Sequence, residues 1–481
     1  MPGEIDARRS GGVHVFSTKD RDLAYDAETG SLHTLDPAGR AVLQWVIDRG
    51  PQVLDEGPIP QEVFRQIPRG LSREQIEEAW SELVSLRGKT LFGVADGRET
   101  GGYCENHEAN PGTQWVKALC LNVAHDCNLA CKYCFAGLGR FGGRPQIMTP
   151  EVAEKALDFV LKASGPRRFI DVDFFGGEPL MAFPTVKAFV KAARKKGPGH
   201  GKDFRFTLTT NCVLLDREAL RFLNDEGISL ILSLDGRPQV HDGMRVFRDG
   251  SPSYAIAMEN AQEAVQSRKG QDYYVRGTYT SLNLDFDRDV QHLYYAGFKR
   301  ISLEPAVGEG HPWDIQECHL SELKASYSRL LEFWHDCRLS KAAFDFYHFD
   351  LGLQKGVCKE RRVTGCGAGY EYLAVTPSGR IYPCHQMVGN EAMILGDVGA
   401  GVQRIDLQSS FKAARVPHKE ECSKCWAKHL CGGGCHARAL ASTGNVMTPD
   451  PLSCLIMKMR LEYGLCAEAE KALQEEISTD G

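Results

Sequence analysis

The stretch LCLNVAHDCNLACKYCF, residues 119–135, decides how the middle of the chain is interpreted. An apolar run typical of a buried strand leads directly into Cys127, Cys131 and Cys134, spaced Cys-x3-Cys-x2-Cys. Three thiolates in one short loop can hold three irons of a 4Fe–4S cube and leave the fourth iron open to a ligand. The spacing differs from that of four-cysteine zinc sites, so the structural alternative is a zinc knuckle with a ligand elsewhere.

Strand-like and helical runs alternate around this stretch. The strand-like runs are VKALCLNVAH, FIDVDFFG, FRFTLTTN, ISLILSLD, YYVRGTYT and ISLEPAV, and helical runs such as TPEVAEKALDFVLKAS lie between them. Repeated βα units predict an α/β fold with a parallel sheet and right-handed crossovers. Six strands favour a partial (β/α)6 barrel over residues 115–310, with functional residues at the carboxyl ends of the strands.

Candidate ligand-binding residues follow these strands. In DFFGGEP, two glycines allow a close backbone approach to a ligand, and the carboxylate of Glu178 can accept a bond from an ammonium group. The full candidate set is Tyr133, Gly176, Gly177, Glu178, Pro179, Asn211, Ser233 and Arg245. Taken singly, each could be an ordinary turn, loop or core residue.

The amino-terminal residues 1–95 predict a small α+β module. GVHVFS and LAYDAETGSLHTLD have strand patterns, and AGRAVLQWVIDRG is a helix that ends at Gly50. LSREQIEEAWSELVSLRG is a second helix, with Ser72 and Gln75 as a capping box, and TLFGV follows as a strand. The pattern is winged-helix-like. A DNA-binding role is disfavoured, because the second helix is acid-rich on its exposed face. Residues 96–114 are polar and glycine-rich, as in a linker.

The carboxyl-terminal part holds a second group of cysteines. Residues 311–357 predict a helical bridge, and residues 358–481 a last domain in which residues 358–460 are short elements punctuated by Cys and Gly. The spaced cysteines are Cys366, Cys384, Cys422, Cys425, Cys431, Cys435 and Cys454. Two 4Fe–4S clusters account for seven thiols better than one zinc ion, which would leave about three thiols without a role. Six others are predicted to be buried structural thiols: Cys104, Cys120, Cys212, Cys318, Cys337 and Cys466.

The composition of the chain narrows its possible binding partners and its possible location in the cell. The chain has 481 residues and a net charge of −6, which gives no electrostatic reason to expect nucleic acid as a partner. No apolar run reaches the roughly 18–20 residues that span a bilayer, and the start of the chain lacks a signal-peptide pattern. The chain has 17 cysteines, ten of them in the two clusters above, and in a chain predicted to be cytoplasmic such clusters indicate metal or redox chemistry rather than disulfides.

The loop Cys-x3-Cys-x-aromatic-Cys resembles the signature of the radical S-adenosylmethionine (SAM) superfamily. The resemblance implies that the open iron binds SAM, whose reductive cleavage gives a 5′-deoxyadenosyl radical. It also implies that GGEP, Tyr133, Ser233 and Arg245 contact SAM.

The carboxyl-terminal cysteines resemble the SPASM domain, which implies three 4Fe–4S clusters in all. By that resemblance, auxiliary cluster II is held by Cys422, Cys425, Cys431 and Cys454, and auxiliary cluster I by Cys366, Cys384 and Cys435. The fourth ligand of auxiliary cluster I is then Cys358 or a substrate thiolate, or that iron is open.

Over nearly the whole chain, strings such as DVDFFGGEPLM and GCGAGYEYLAVTPSGRIYPCHQ resemble the six-cysteine peptide (SCIFF) maturases, or ranthipeptide synthases. This resemblance implies thioether formation in a precursor peptide whose leader binds the amino-terminal module, with reduced flavodoxin or ferredoxin as electron donor. The main alternative is a sulfatase-maturing or other peptide-modifying SPASM enzyme. Sulfatase-maturing relatives carry Asp where this chain has His385, which weighs against that alternative. A non-catalytic iron–sulfur protein would leave the GGEP, Ser233 and Arg245 set without a purpose.

Overall fold

The three amino-terminal strands form an antiparallel sheet. The computed structural model describes residues 12–18, 21–55, 57–67, 70–93, 115–270, 272–308, 310–353 and 363–479, with side chains as far as residue 474. The strands are β1 (Val13–Thr18), β2 (Arg21–Asp26) and β3 (Leu32–Leu35), in spatial order β1-β2-β3. The Asp26 carboxylate accepts hydrogen bonds from the backbone N–H groups of Glu28 (2.7 Å) and Thr29 (3.0 Å), which closes the predicted turn.

Three helices cover one face of this sheet: α1 (Pro37–Arg49), α2 (Gln61–Gln66) and α3 (Arg73–Leu86). The predicted capping box is confirmed, because Ser72 accepts from Gln75 N–H and the Gln75 side chain accepts from Ser72 N–H. The predicted strand TLFGV is wrong over residues 90–93, the part of it that the structure describes. Only an isolated bridge joins Arg87 to Leu91, since this short run has no neighbouring strand to extend and Leu91 packs into the helical core instead.

The other face of the amino-terminal sheet packs on the last helix of the chain, α15 (Pro451–Thr479). Tyr25 and Leu465 are fully buried in this contact. His14 stacks on Trp426 with ring centroids 3.9 Å apart, and its Nε2 lies 3.0 Å from a Glu462 carboxylate oxygen. The two ends of the chain therefore share one apolar interface.

A mainly parallel sheet forms the centre of the molecule, and the six predicted strands are confirmed. They are β4 (Ala118–His125), β6 (Phe169–Gly176), β7 (Asp203–Thr210), β8 (Ser229–Leu232), β9 (Tyr273–Tyr279) and β10 (Arg300–Pro305). A short strand, β5 (Gln146–Ile147), pairs antiparallel with β4. Alternate strand residues such as Leu119, Val172 and Leu208 are buried against helices.

The sheet is larger than the predicted (β/α)6 unit. β11 (Asp345–Phe346) adds parallel to β10, and β12 (Tyr372–Val375) adds parallel to β4 on the opposite side. The order is β11-β10-β9-β8-β7-β6-β4-β12, continued by antiparallel β13 (Arg380–Tyr382), β14 (Gly396–Asp397) and β15 (Gly401–Val402). Four of these five added strands have only two or three residues, which is too short a run for its periodicity to be recognised in a sequence.

Helices cover the outer side of the sheet. Those that share its core are α4 (Pro150–Ala163), α5 (Phe183–Lys196), α6 (Arg217–Asp225), α8 (Tyr254–Ser267), α9 (Phe286–Tyr295) and α10 (Leu320–Leu339), whereas α7 (Pro238–Met244) contributes no residue to that core. Because strand side chains alternate between faces, the residues that do not face these helices point to the concave side, here called the lumen. The lumen face includes Cys120, Asp173, Arg276, Glu304 and Tyr372.

The carboxyl-terminal region consists of short elements, as predicted, followed by one long helix. The short helices are α11 (Ile405–Ala413), α12 (Glu420–Ser423), α13 (Lys428–Cys431) and α14 (His436–Thr443). Helix α15 carries Cys454 in its first turn, so it joins the cysteine-rich region to the amino-terminal sheet. Among the described helices, none has both the length and the apolar composition needed to cross a membrane.

Replacing Leu465 by Ala tests the contact between the chain ends. The side chain is fully buried between α15 and the sheet, so its truncation is expected to cost about 2–5 kcal/mol of unfolding free energy. The matched control is Leu473→Ala in the same helix, where the side chain is 38% exposed and a change below about 1 kcal/mol is expected. Equal losses in denaturant unfolding of the two variants would contradict the assigned interface.

Candidate functional site

The turn after β6 holds the start of the cysteine loop. Gly177 N–H donates to Ala124 O over 2.7 Å. A Cβ at Gly177 would lie 2.1 Å from Asp126 O, and one at Gly176, where φ is +136°, would lie 2.3 Å from Ala124 O. The two glycines are therefore required first by the chain's own backbone, since any side chain would push the turn away from the loop.

The segment after α7 holds the other side of the loop. Residues 244–246 accept backbone hydrogen bonds from Ala130 (2.7 Å) and Lys132 (2.9 Å). The Arg248 guanidinium donates to the backbone carbonyl of Cys127. The loop is thus fixed from two directions by parts of the chain more than 40 residues away in sequence.

Three thiols are crowded in this loop. Burial, together with the nearby Glu178 carboxylate and neighbouring thiols, raises the pKa of Cys127 to about 12. Burial also raises the pKa of Cys131 to about 11, although the Arg245 cation opposes that rise. Only a bound cation could keep such thiols deprotonated together, which is the chemistry of a thiolate-bound metal centre.

Amide groups surround the innermost thiol. Leu129 N–H donates to Cys127 Sγ over 3.4 Å, and Asn211 Nδ2 approaches the same sulfur at 3.6 Å and donates to Asn128 Oδ1 over 2.8 Å. The buried Asn128 Nδ2 atom has no partner among the described residues. Hydrogen bonds to sulfur tune iron–sulfur centres, so the donor set fits a cluster with room for one more polar contact.

Glu178 ties two strand ends together. Its buried carboxylate accepts hydrogen bonds from Leu180 N–H (3.1 Å), Thr210 Oγ1 (2.8 Å) and Asn211 N–H (2.8 Å). Burial raises its pKa to about 7 in spite of these bonds. A ligand ammonium group would therefore meet a carboxylate that is already anchored, and its positive charge would favour the ionised form.

Tyr133 and Arg245 meet at a residue that the sequence did not single out. Both the Tyr133 hydroxyl and Arg245 Nε donate to the fully buried Asp235 carboxylate, over 2.5 Å and 3.0 Å. The same carboxylate accepts from Thr278 N–H over 2.9 Å. The Arg245 guanidinium also lies 5.5 Å from the centre of the Tyr133 ring. Asp235 follows β8 at a strand end, which is the one sequence signal that could have identified it.

The remaining candidates lie on neighbouring strand ends. Pro179 is buried in the turn after β6, and half-buried Ser233 follows β8, where its N–H donates to Thr210 O over 2.9 Å. The structure therefore brings the predicted residues together at the carboxyl ends of β4, β6, β7 and β8.

The carboxyl-terminal thiols separate into two groups. In the first, Cys435 and Cys366 each contribute, after burial, to raising the pKa of Cys384, which reaches about 12. In the second, burial and the neighbouring thiols of Cys431, Cys422 and Cys425 raise the pKa of Cys454 to about 12. These groups coincide with the two ligand sets that the SPASM resemblance implied, although the assignment of clusters to them stays a prediction.

Lys419 lies among these thiols and was missed by sequence reasoning. Its side chain is buried, its ammonium group donates to Gly433 O over 2.9 Å, and burial lowers its pKa. The thiols of Cys422, Cys431, Cys435 and Cys454 all act electrostatically on it. A buried cation at this place would offset the negative charge of thiolate-bound clusters.

Aromatic residues fill the space between the first loop and the group that contains Cys384. Phe135, directly after Cys134, packs against His385, directly after Cys384, with ring centroids 5.9 Å apart. Phe175 on β6 lies 4.9 Å from the same imidazole. The His385 Nδ1 and Tyr372 hydroxyl are 2.8 Å apart. Burial and the nearby Arg276 cation lower the pKa of His385 to about 4, so its ring is neutral at pH 7.

The predicted structural thiols are mostly confirmed. Cys120, Cys212, Cys337 and Cys466 are buried. Cys318 is exposed, which corrects its prediction, because it lies in a one-turn surface helix (Glu317–His319) before α10. Cys104, Cys358 and the predicted linker lie outside the described residues.

No three His, Cys, Asp or Glu side chains in the described ranges converge as the ligands of a single metal ion would. A 4Fe–4S cube makes a different demand, because each of its irons takes its own thiolate.

Replacing Lys419 by Met tests the role of the buried cation. The change keeps the bulk and removes the charge, so the reduction potential of an auxiliary iron–sulfur centre is expected to fall by on the order of tens of millivolts. Redox titration followed by electron paramagnetic resonance measures this shift in reconstituted protein. Lys191→Met, at an exposed site on α5, is the control and should leave the potentials unchanged. Identical potentials in both variants would refute the electrostatic role.

Known protein families and curated proteins with similar sequences agree with the fold and the cysteine loop. Residues 121–299 match the model of the Radical SAM superfamily. The chain is 25% identical over 374 residues to a PqqA peptide cyclase from Rhodopseudomonas palustris, covering 74% of this chain and 91% of the relative. It is 24% identical over 341 residues to a cysteine-type anaerobic sulfatase-maturating enzyme from Clostridium perfringens, covering 66% and 88%.

A solved structure has a similar fold over most of the chain. Streptococcus suis SuiB bound to S-adenosylmethionine aligns with a TM-score of 0.52 at 15% identity, covering 92% of this chain and 98% of SuiB. The parallel sheet, the three-cysteine loop after its first strand and the match over residues 121–299 together identify this part of the chain as a domain of the Radical SAM superfamily.

Proposed function

We propose that the chain is a radical SAM peptide maturase that forms thioether crosslinks within a ribosomally made precursor peptide. In each crosslink, one S–H bond of a peptide cysteine and one C–H bond of an acceptor residue are replaced by a C–S bond. One hydrogen atom leaves with 5′-deoxyadenosine, the thiol proton passes to a base, and the remaining electron leaves through a redox centre. The peptide therefore loses two hydrogens per crosslink.

The contact between Phe135 and His385 is the observation that carries this proposal. These residues directly follow Cys134 and Cys384, so the three-cysteine loop and the first carboxyl-terminal thiol group face the same lumen mouth. A radical centre and a thiol must meet before either is quenched, and this arrangement supports their proximity. When bound, SAM and the iron–sulfur clusters would supply the radical and the electron acceptor.

Among the described residues, the first carboxyl-terminal group has three thiols, whereas a 4Fe–4S cube has four irons to be bound. Cys366, Cys384 and Cys435 leave one corner for a peptide cysteine, which would hold the thiolate close to the acceptor carbon. Cys358 lies outside the described residues and is the alternative ligand. In this proposal, residues 358–481 hold both auxiliary clusters, with Cys422, Cys425, Cys431 and Cys454 around the second.

The chain's own residues would bind SAM and exclude water. SAM would lie against the turn of residues 176–179, with Asn211, Ser233 and the Tyr133–Asp235–Arg245 network on the adjoining strand ends. Phe135 is 56% exposed and Phe175 lies beside it, so they offer apolar surface to a bound ligand. An apolar wall favours the proposed chemistry because it keeps solvent away from a reactive carbon.

The amino-terminal module offers a site for the leader of the peptide. β1 and β3 are the edge strands of its sheet, and an extended leader could add to one of them as a further strand. A peptide substrate also agrees with the name of the PqqA peptide cyclase. Residues 1–95 would then recognise the leader while the core of the peptide enters the lumen.

A sulfatase-maturing activity is the second candidate, and the Clostridium perfringens relative is the observation that favours it. That activity would oxidise a Cys or Ser to formylglycine. His385 occupies the position where such relatives are expected to carry Asp, and its ring is neutral and bound to Tyr372. This difference is the reason that thioether formation is preferred.

Mass spectrometry after an anaerobic reaction tests the proposal. Reconstituted full-length protein is incubated with SAM, reduced flavodoxin and, in separate reactions, each short cysteine-rich peptide for which an open reading frame is found beside its gene. A loss of two hydrogens per crosslink is expected, together with thiols that no longer react with an alkylating reagent. A variant with Cys127, Cys131 and Cys134 replaced by Ala is expected to release no 5′-deoxyadenosine.

Two results would contradict the proposal. An unmodified peptide together with formylglycine in a co-incubated sulfatase substrate would favour the second candidate. Continued 5′-deoxyadenosine release from the triple variant would remove the assignment of the loop.

A further inference from the structure

Arg276 presents an exposed guanidinium in the barrel lumen. It lies in the middle of β9, where its neighbours Val275 and Gly277 are fully or largely buried while Arg276 is exposed. In register it stands opposite Ser302 of β10. A charged side chain that stays accessible on the concave side of a sheet faces whatever enters that space.

Four groups from different elements surround this cation. Arg276 acts electrostatically on Asp173 of β6, Glu304 of β10, His348 after β11 and His385 after β13. Within the described part of the chain, no residue forms a hydrogen bond or an ion pair with it. Two other arginines near the lumen differ from Arg276. Arg245 forms an ion pair with Asp235, and Arg460 of α15 forms one with Glu304.

The charge of Glu304 is balanced by groups other than Arg276. Its carboxylate already accepts from Arg460 over 3.0 Å and lies 3.3 Å from His348 Nε2. Although burial opposes ionisation, His348 and Arg460 lower the pKa of Glu304. Arg276 adds only a smaller contribution, so most of its charge remains available.

Asp173 does not neutralise Arg276 either. Burial raises the pKa of Asp173 to about 7 even though the arginine opposes that rise. Its buried Oδ1 atom has no hydrogen-bond partner among the described residues. A partly protonated carboxyl group beside a free guanidinium gives the lumen a local excess of positive charge and a second potential donor.

We propose that Arg276 is a specificity residue that binds a carboxylate of the precursor peptide within the lumen. A guanidinium matches a carboxylate with two parallel hydrogen bonds, which fixes orientation as well as position. The anchored carboxylate would set which acceptor residue stands between the two thiol groups. The proposal rests on the proposed peptide substrate but not on the type of bond formed. The carboxylate is an Asp or Glu side chain, or the carboxyl terminus of the peptide.

A double-mutant cycle tests this assignment. Full-length protein with Arg276 or with Arg276→Gln is titrated, in the presence of SAM, with a fluorescein-labelled cysteine-rich precursor peptide that the unmodified protein binds. The peptide is also used in versions with each Asp or Glu changed singly to Asn or Gln, and in a version with an amidated carboxyl terminus. Fluorescence anisotropy gives the affinities, and mass spectrometry of the reaction products is a separate measurement. A failure of the thioether proposal can therefore be distinguished from a failure of the proposed carboxylate binding by Arg276.

Arg276→Gln is expected to weaken binding of the natural peptide about tenfold or more. One of the neutralised peptides should bind the unmodified protein about as weakly as the natural peptide binds Arg276→Gln. The same peptide should lose no further affinity with Arg276→Gln, and the residue neutralised in it is the carboxylate that Arg276 binds. Arg276→Lys should recover part of the affinity. Arg217→Gln is the control, because Arg217 lies on the outer helix α6, where it pairs with Glu263, and its loss should leave binding unchanged. Unchanged affinity in Arg276→Gln, or losses that simply add for every neutralised peptide, would overturn the proposal.

Discussion

The crowding of three thiols in one backbone-held loop is the constraint on which the site depends. Burial and mutual repulsion between the sulfurs oppose the ionised forms of Cys127 and Cys131, so these thiols come together productively only around a cation. The turn of residues 176–178 and the segment of residues 244–248 hold the loop before any ligand binds. The loop is therefore ordered when the protein folds, because the strand ends that hold it must come together for the sheet to form.

The continuation of the sheet beyond its predicted strands connects this loop to the second group of cysteines. β12 pairs with β4, whose carboxyl end leads into the loop, and β13 leads directly to Cys384. Two thiol groups far apart in sequence thus share one lumen mouth, lined by Phe135, Phe175 and His385. Also on the lumen face, Arg276 provides a positive charge that has no hydrogen-bonded partner in the described ranges. Such a wall suits a substrate that has both an apolar part and a polar anchor.

The amino-terminal sheet packs on helix α15, which carries Cys454 in its first turn, and on Trp426, which follows Cys425. Its position relative to the second thiol group is therefore set by a buried apolar interface and by the stacking of His14 on Trp426. An interface of this kind keeps the amino-terminal module, the proposed leader site, at a constant distance from the lumen. A long precursor could then be held at one end and modified at the other.

Local patterns in the sequence determined the six parallel strands, the capping box at Ser72, and the cysteine loop, because periodicity and spacing act between near neighbours. They also placed Glu178 and Ser233 at strand ends. Only the tertiary structure decided the pairing of β12 with β4, the exposure of Cys318, the position of Lys419 among four thiols, and the network centred on Asp235. The free guanidinium of Arg276 belongs with these. Each of these features depends on which residues from distant parts of the chain lie beside a given side chain. Burial and local charge are set by all of these neighbours together, and a short segment of sequence does not contain them.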